Sequence, residues 1–121
     1  MRKESLKIAR AFAAGVAASA ARTRTDGQAV YLHGNLIAKR EPDGSIWVTL
    51  AGWGTVTTRD RVNTLCRVLG SGVHFFQRDH VQHVAFPDGA VFETCPRDRW
   101  EIAAPGGRVL GTPDPLLAGE A

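Results

Sequence analysis

Two tight-turn signals divide residues 29–50 into three strand-like segments, and this pattern limits the fold more than any other feature of the chain. Gly34-Asn35 is a two-residue connection of the β-hairpin type. Pro42-Asp43-Gly44 is a second strong turn sequence. The segments between the turns read as strands, and the third alternates apolar residues along one face. The sequence therefore predicts an antiparallel meander of three strands.

The third strand of this meander has one apolar face and one mixed face. Ile46, Val48 and Leu50 alternate along it, so we expect them to face the core. Trp47 then points to the opposite side, where Lys39 neighbours it across the hairpin. Two alternatives stay open for this tryptophan. It either stacks against a ligand on an exposed face or packs beneath an N-terminal helix.

A tryptophan between two glycines, Gly52-Trp53-Gly54, follows the third strand. The glycines end the strand because they permit the backbone angles of a sharp exit. A helix over about 58–69 is predicted next, with Thr57 or Thr58 as its N-cap and Gly70 as its stop. Helical spacing assigns its core face to Val62, Leu65, Cys66 and Leu69.

The first 22 residues predict an N-terminal helix, since residues 3–20 are rich in strong helix formers. Its predicted apolar stripe consists of Leu6, Ala9, Phe12, Ala13, Val16 and Ala20. Another side carries Lys3, Lys7 and Arg10. These cations form either a solvated face or an anion-binding face. A cleaved signal peptide is the alternative for this segment, although its apolar run is mostly alanine.

Beyond Gly72 the strand pattern resumes, which predicts a second antiparallel set. The segments are 73–77, 81–86, 90–94 and a short 99–103. Residues 105–121 are dominated by Gly and Pro and are predicted to be a flexible tail. The fold class is therefore α+β, with one domain over residues 1–104: an N-terminal helix, a meander, a central helix and a second hairpin or meander.

Composition restricts the function only loosely. The net charge of +3 and pI of about 9.3 permit nucleic-acid or acidic partners and exclude an acidic DNA mimic. Cys66 falls on the apolar face of the central helix, and the chain has one other cysteine, Cys95. We interpret both as reduced thiols of a cytoplasmic protein. No apolar run is long enough to span a membrane.

The sequence lacks the usual signatures of catalysis. It contains no P-loop, no G-x-S-x-G, no H-E-x-x-H and no G-x-G-x-x-G pattern. Most aspartates lie in turns, which leaves no obvious pair for acid–base chemistry. His74, His80, His83 and Cys95 are possible zinc ligands, but 80 and 83 face opposite sides of a strand. We predict that the protein is not an enzyme and holds no metal or cofactor.

Aromatic and basic side chains remain as candidates for binding. Tryptophan and arginine dominate the energetics of protein interfaces, and they also stack on bases and contact phosphates. The predicted binding residues are Lys39, Arg40, Trp47, Trp53, Arg59, Arg61 and Arg67.

Residues 31–65 resemble a group of small, uncharacterised proteins of tailed bacteriophages and prophages. The similarity lies in three clusters of residues. They are Tyr31, Leu32, Gly34, Asn35, Ile37 and Ala38; Leu50, Ala51, Gly52 and Trp53; and Thr57, Thr58, Arg59, Arg61, Asn63 and Leu65. The resemblance implies a phage or mobile-element origin and no catalytic activity.

By analogy with small phage proteins, we expect an accessory protein that acts in the host bacterial cytoplasm. Its predicted partner is a host protein or ribonucleoprotein complex, for instance a CRISPR-type defence complex, which it would block sterically. The alternative is a small DNA- or RNA-binding protein that uses the basic residues and Trp47.

Overall fold

The computed structural model describes residues 2–106 and 108–109, and it confirms the α+β fold class. Two helices accompany two antiparallel sheets, one of seven strands and one of three. The elements before the central helix are α1 (Lys3–Ala14), β1 (Ala18–Ala20), β2 (Thr23–Thr25), β3 (Ala29–Leu32), β4 (Asn35–Arg40) and β5 (Ile46–Thr49). The others are α2 (Val56–Val68), β6 (His74–Arg78), β7 (Val81–Ala85), β8 (Val91–Glu93), β9 (Arg99–Ala104) and β10 (Arg108–Val109).

The N-terminal helix is shorter than predicted. It ends at Ala14 because Gly15 adopts a left-handed conformation with φ of 73°, and residues 18–20 form strand β1 instead of a further helical turn. The buried face also differs from the predicted stripe. Ser5, Ile8, Ala9 and Phe12 are buried, whereas Leu6 is half-buried and Ala13 and Val16 are exposed. The prediction failed because alanine favours helix strongly and marks neither its end nor its buried side.

The predicted meander is confirmed as β3, β4 and β5. Its first turn is shifted by one residue from the prediction, since Leu32 pairs with Asn35 and the turn consists of His33 and Gly34. Both turn residues have positive φ, 51° and 80°, as a type I′ hairpin requires. In the second turn, the Asp43 carboxylate accepts hydrogen bonds from the backbone N–H and hydroxyl of Ser45.

The central helix α2 follows the prediction closely, although its N-cap is Thr55 and not Thr57 or Thr58. The Thr55 hydroxyl accepts a hydrogen bond from the Thr58 N–H at 3.2 Å. Val62, Leu65 and Cys66 are buried as predicted, and Leu69 is half-buried at the C-cap.

The last strands do not all belong to the second set. Strands β6, β7 and β8 form the separate three-stranded sheet, but β9 pairs with β5 in the large sheet. Ala103 and Ala104 of β9 pair in turn with β10, which extends the large sheet to residue 109. The predicted tail is therefore a strand at residues 108–109, and its remainder from residue 110 lies outside the described residues.

The order of the large sheet is β1-β2-β3-β4-β5-β9-β10. Both helices cover one face of it, called here the inner face, and contact each other. The small sheet packs against α2 through β6, and its Phe86 and Phe92 rings contact Trp100 on the inner face. The buried apolar side chains of these elements form one cluster. The outer face of the large sheet carries half-buried and exposed side chains, among them Trp47 and Lys39.

Candidate functional site

The seven side chains that were predicted from the sequence to bind a partner lie on different parts of the structure. Lys39 and Trp47 are paired neighbours on the outer face of the large sheet. Arg40 lies on the inner face, where its guanidinium covers Phe12, and Trp53 lies at the entrance of a cavity. The three remaining arginines belong to α2: Arg59, Arg61 and Arg67. No single surface contains the predicted set.

Two of these arginines bind the protein's own backbone. Arg40 donates hydrogen bonds to the carbonyl oxygens of Gly27 and Phe12, and its guanidinium lies 4.4 Å from the centre of the Phe12 ring. Arg59 donates to the Gly54 carbonyl at 2.9 Å and to two glutamine side chains of the small sheet. Both side chains therefore hold neighbouring elements together. Arg67, by contrast, is exposed.

Arg61 is the clearest departure from the predicted binding surface, because its side chain is only 4% exposed. It donates to the hydroxyl of Thr23 at 2.9 Å and to the hydroxyl of Ser5 at 2.6 Å. It also pairs with the Asp60 carboxylate at 3.2 Å, and Ser5 donates to the same carboxylate. This network joins α1, α2 and β2. An arginine so enclosed has its hydrogen bonds directed to the protein's own side chains.

Trp47 lies on the outer face, so the alternative that it packs beneath α1 is wrong. Its indole N–H donates to the Glu41 carboxylate at 2.8 Å. The Arg99 guanidinium lies 4.2 Å from the ring centre, within the range of a cation–π contact. Lys39 is 3.9 Å from Glu41. Trp47, Glu41, Arg99 and Lys39 therefore form one group of mutual contacts, in which the Arg99 guanidinium covers the half-buried Trp47 ring.

Trp53 stands at the edge of a surface cavity of about 380 Å³. The indole side chain is 57% exposed, an unusual position for a large aromatic group. The cavity opens between the β3–β4 hairpin, the end of β5 and the start of α2. Its lining residues are Leu32, His33, Asn35, Ile37, Leu50, Trp53, Thr55, Thr57 and Thr58.

The loop before α2 explains why Trp53 faces solvent. Ala51 and Gly52 both have positive φ, 56° and 89°, so the chain reverses sharply after Leu50. The Gly52 N–H donates to the carbonyl of Pro96, and the Trp53 N–H donates to the carbonyl of Leu50, both at 2.9 Å. These bonds fix the turn beside the core while its tip points outward. The Gly-Trp-Gly sequence thus presents an indole ring on a rigid turn.

The cavity combines an apolar floor with a polar rim. Leu32, Ile37 and Leu50 are at most 4% exposed and belong to the core. The rim bears hydroxyl and amide groups from Thr55, Thr57 and Asn35, together with the imidazole of His33. All nine lining side chains lack a formal charge with histidine neutral. A cavity of this kind favours an apolar group whose edges can accept or donate a few hydrogen bonds.

A second aromatic surface was not predicted from the sequence. His74, Phe76 and His83 lie on the outer face of the small sheet, with ring centres 6.3 Å and 5.1 Å apart and nearly parallel planes. Arg78 lies 5.6 Å from the Phe76 ring on the same face. The alternation of residues 74, 76 and 78 along one strand was the signal that could have identified this surface.

The described residues contain no group of three or more His, Cys, Asp or Glu side chains placed to hold a metal ion. Cys66 and Cys95 are both free thiols. Cys66 is fully buried, and burial raises its pKa to about 12, so it stays a neutral thiol at physiological pH. Cys95 is exposed. Neither helix in the described part of the chain is long and apolar enough to cross a membrane.

Fold and surface together define a small α+β protein built from two antiparallel sheets and two helices, with an uncharged cavity beside an exposed tryptophan. Residues 1–100 match the family model described as "Kyanoviridae Gp96 protein", and the chain belongs to this family of bacteriophage proteins. No curated protein matches the chain, and no solved structure matches it.

Proposed function

We propose that this phage protein is a non-enzymatic accessory protein that binds a host protein or ribonucleoprotein complex and blocks it sterically. The observation that carries the proposal is the exposed indole of Trp53 beside an apolar cavity. Val56, at the first position of α2 and three residues after Trp53, is also exposed, at 65%. Exposed apolar groups that cluster beside a cavity are typical of protein interfaces.

The chemistry of the cavity favours a protein over a nucleic acid as its occupant. Affinity for phosphate groups comes mainly from Lys and Arg, and the lining contains neither. The guanidinium of Arg2 reaches the rim, where it donates to the Thr57 hydroxyl at 3.1 Å. An apolar side chain of a partner would instead contact Leu32, Ile37 and Leu50, while Trp53 covers it from one side. Backbone groups flanking that side chain could bond to the hydroxyl groups of Thr55 and Thr57.

The cavity is built from well-packed elements, which favours tight binding. Strands β3 and β4 and Leu50, directly after β5, supply its floor, and the capped first turn of α2 supplies its wall. Because these elements belong to the packed core, a partner would not need to order them on binding. A volume of about 380 Å³ lies at the small end of ligand pockets and suits one anchoring side chain.

Membership of a phage family supports a target in the infected host cell. Among such targets, we propose a CRISPR-type defence complex as the first class to test, by analogy with other small phage proteins. The alternative is DNA or RNA binding through Lys39, Arg40, Trp47 and the α2 arginines. Those side chains do not share one surface, which makes this alternative less favourable.

The test is affinity capture from host lysate treated with nuclease, followed by mass spectrometry. Three forms of the protein serve as baits: the wild type, Trp53→Ala and Trp47→Ala. We expect the wild type and Trp47→Ala to retain the same host protein and Trp53→Ala to lose it. Thermal unfolding of each bait establishes that the variants are folded.

Capture by all three baits alike would place the interface away from Trp53. A wild-type bait that retains DNA or RNA but no host protein would refute the proposal.

A further inference from the structure

The positive charge of this protein is concentrated in its first 24 residues. That segment contains six Lys and Arg side chains and one carboxylate, Glu4, and therefore has a net charge of +5. The whole chain has 15 basic and 12 acidic residues, so residues 25–121 contain nine basic and 11 acidic residues and have a net charge of −2. Such asymmetry indicates a localised site for an anionic partner.

The fold gathers these cations at one edge of the molecule. Helix α1 contacts both β1 and β2, and β1 is the edge strand of the large sheet. Lys7 donates to the Ser19 carbonyl at 3.1 Å, and Ser19 is paired in register with Arg24. Lys7 of α1 thus contacts the β1–β2 hairpin, which carries Arg22 and Arg24. We call this group the cationic edge; its members, all exposed, are Arg2, Lys3, Lys7, Arg10, Arg22 and Arg24.

Carboxylates leave most of this charge uncompensated. The two ion pairs in the described part of the chain join Lys39 to Glu41 and Arg61 to Asp60, and neither includes a member of the cationic edge. Two other carboxylates lie close in sequence. Glu4 occupies the first turn of α1, and Asp26 follows β2 and accepts hydrogen bonds from the backbone N–H groups of residues 28 and 29.

The basic residues of α1 do not lie where the helix dipole favours them. The N-terminal end of a helix carries partial positive charge, so a lysine in the first turn destabilises the helix. Lys3 lies in the first turn of α1, and the last turn contains no basic residue. No side chain caps the N-terminus at Arg2. A bound anion would relieve this repulsion.

We propose that the cationic edge binds the phosphate backbone of a nucleic acid. Insertion into a membrane does not fit, because the apolar face of α1 is buried through Ile8, Ala9 and Phe12. A second feature favours nucleic acid over an acidic protein. The Arg24 guanidinium lies 4.2 Å from the ring centre of Tyr31 on the outer face, and such stacked planes accept unpaired bases.

The test is fluorescence anisotropy with fluorescein-labelled 20-nucleotide single-stranded and duplex DNA, measured over a series of salt concentrations. The wild type should bind at low salt, and its affinity should fall steeply as salt rises. The test variant combines Lys3→Gln, Lys7→Gln and Arg10→Gln. We expect it to lose most of the affinity and to lower the slope of log affinity against log salt by about 2–3.

A matched variant removes the same charge elsewhere, through Arg67→Gln, Arg78→Gln and Arg97→Gln, at three other exposed arginines. It should retain both the affinity and the slope of the wild type. Thermal unfolding should show that the test variant is folded and melts close to the wild type, since all three substituted side chains are exposed.

Three results would overturn the proposal. The first is a wild type that fails to bind either DNA at 50 mM salt. The second is an equal loss in the two triple variants, which would mean that net charge alone acts. The third is binding to vesicles containing phosphatidylserine in the absence of DNA binding, which would assign the edge to a lipid surface. Trp53→Ala should bind DNA normally, so this test is independent of the cavity.

Discussion

At the scale of single residues, environment decides what a charged side chain does. Arg59, Arg61 and Arg67 lie on one helix and have the same charge at neutral pH, yet one is half-buried, one is enclosed and one is exposed. Sequence spacing could place them on α2 but could not reveal that Ser5 and Thr23 cover Arg61. Ser5 is 56 residues and Thr23 is 38 residues from Arg61 along the chain.

Arg61→Ala tests this assignment. The substitution removes the charged donor shared by the hydroxyl groups of Ser5 and Thr23 and the carboxylate of Asp60, so we expect the free energy of unfolding to fall by about 2–4 kcal/mol. Arg67→Ala, at an exposed position of the same helix, should change the free energy of unfolding by less than about 0.5 kcal/mol. Denaturant unfolding measures both. Equal midpoints for the wild type and Arg61→Ala would contradict a structural role.

At the scale of elements, local patterns predicted the strands and the central helix, while partners and boundaries depended on distant contacts. The β3–β5 meander followed from two turn sequences, and period-two alternation indicated the buried face of its third strand. Strand β9 was recognised as a strand, but alternation does not specify its neighbour, and its pairing with β5 arises from the folded core. Helix α1 ends at a glycine that the alanine-rich sequence did not single out.

Leu65→Ala tests the register of α2. Leu65 is 1% exposed in the core, so its truncation should create a cavity and destabilise the fold by about 2–5 kcal/mol. Thermal or denaturant unfolding gives the value. A matched change at the exposed Val56, to alanine, should have little effect on stability. An unchanged melting temperature for Leu65→Ala would mean that the helix presents another face to the core.

At the scale of the whole molecule, two surfaces of different chemistry stand out. The cavity beside Trp53 is uncharged and has a core-like floor, whereas the cationic edge carries the protein's excess positive charge. The sequence identified Trp53 as a candidate but could not show the cavity, because its walls come from residues 32–58 brought together by three strands and a helix. The basic residues of α1 could be identified from the sequence. Their position at the same edge of the fold as Arg22 and Arg24 could not.

The central claim is that Trp53 anchors a host protein. The most direct measurement is calorimetric titration of the purified host protein, once captured, into the wild type, Trp53→Ala and Trp47→Ala. Truncation of an interface hot spot costs about 2 kcal/mol or more, so Trp53→Ala should weaken binding by roughly 30-fold or more. Trp47→Ala should bind within about threefold of the wild type, a difference of well under 1 kcal/mol. Equal affinity of Trp53→Ala and the wild type would contradict the claim.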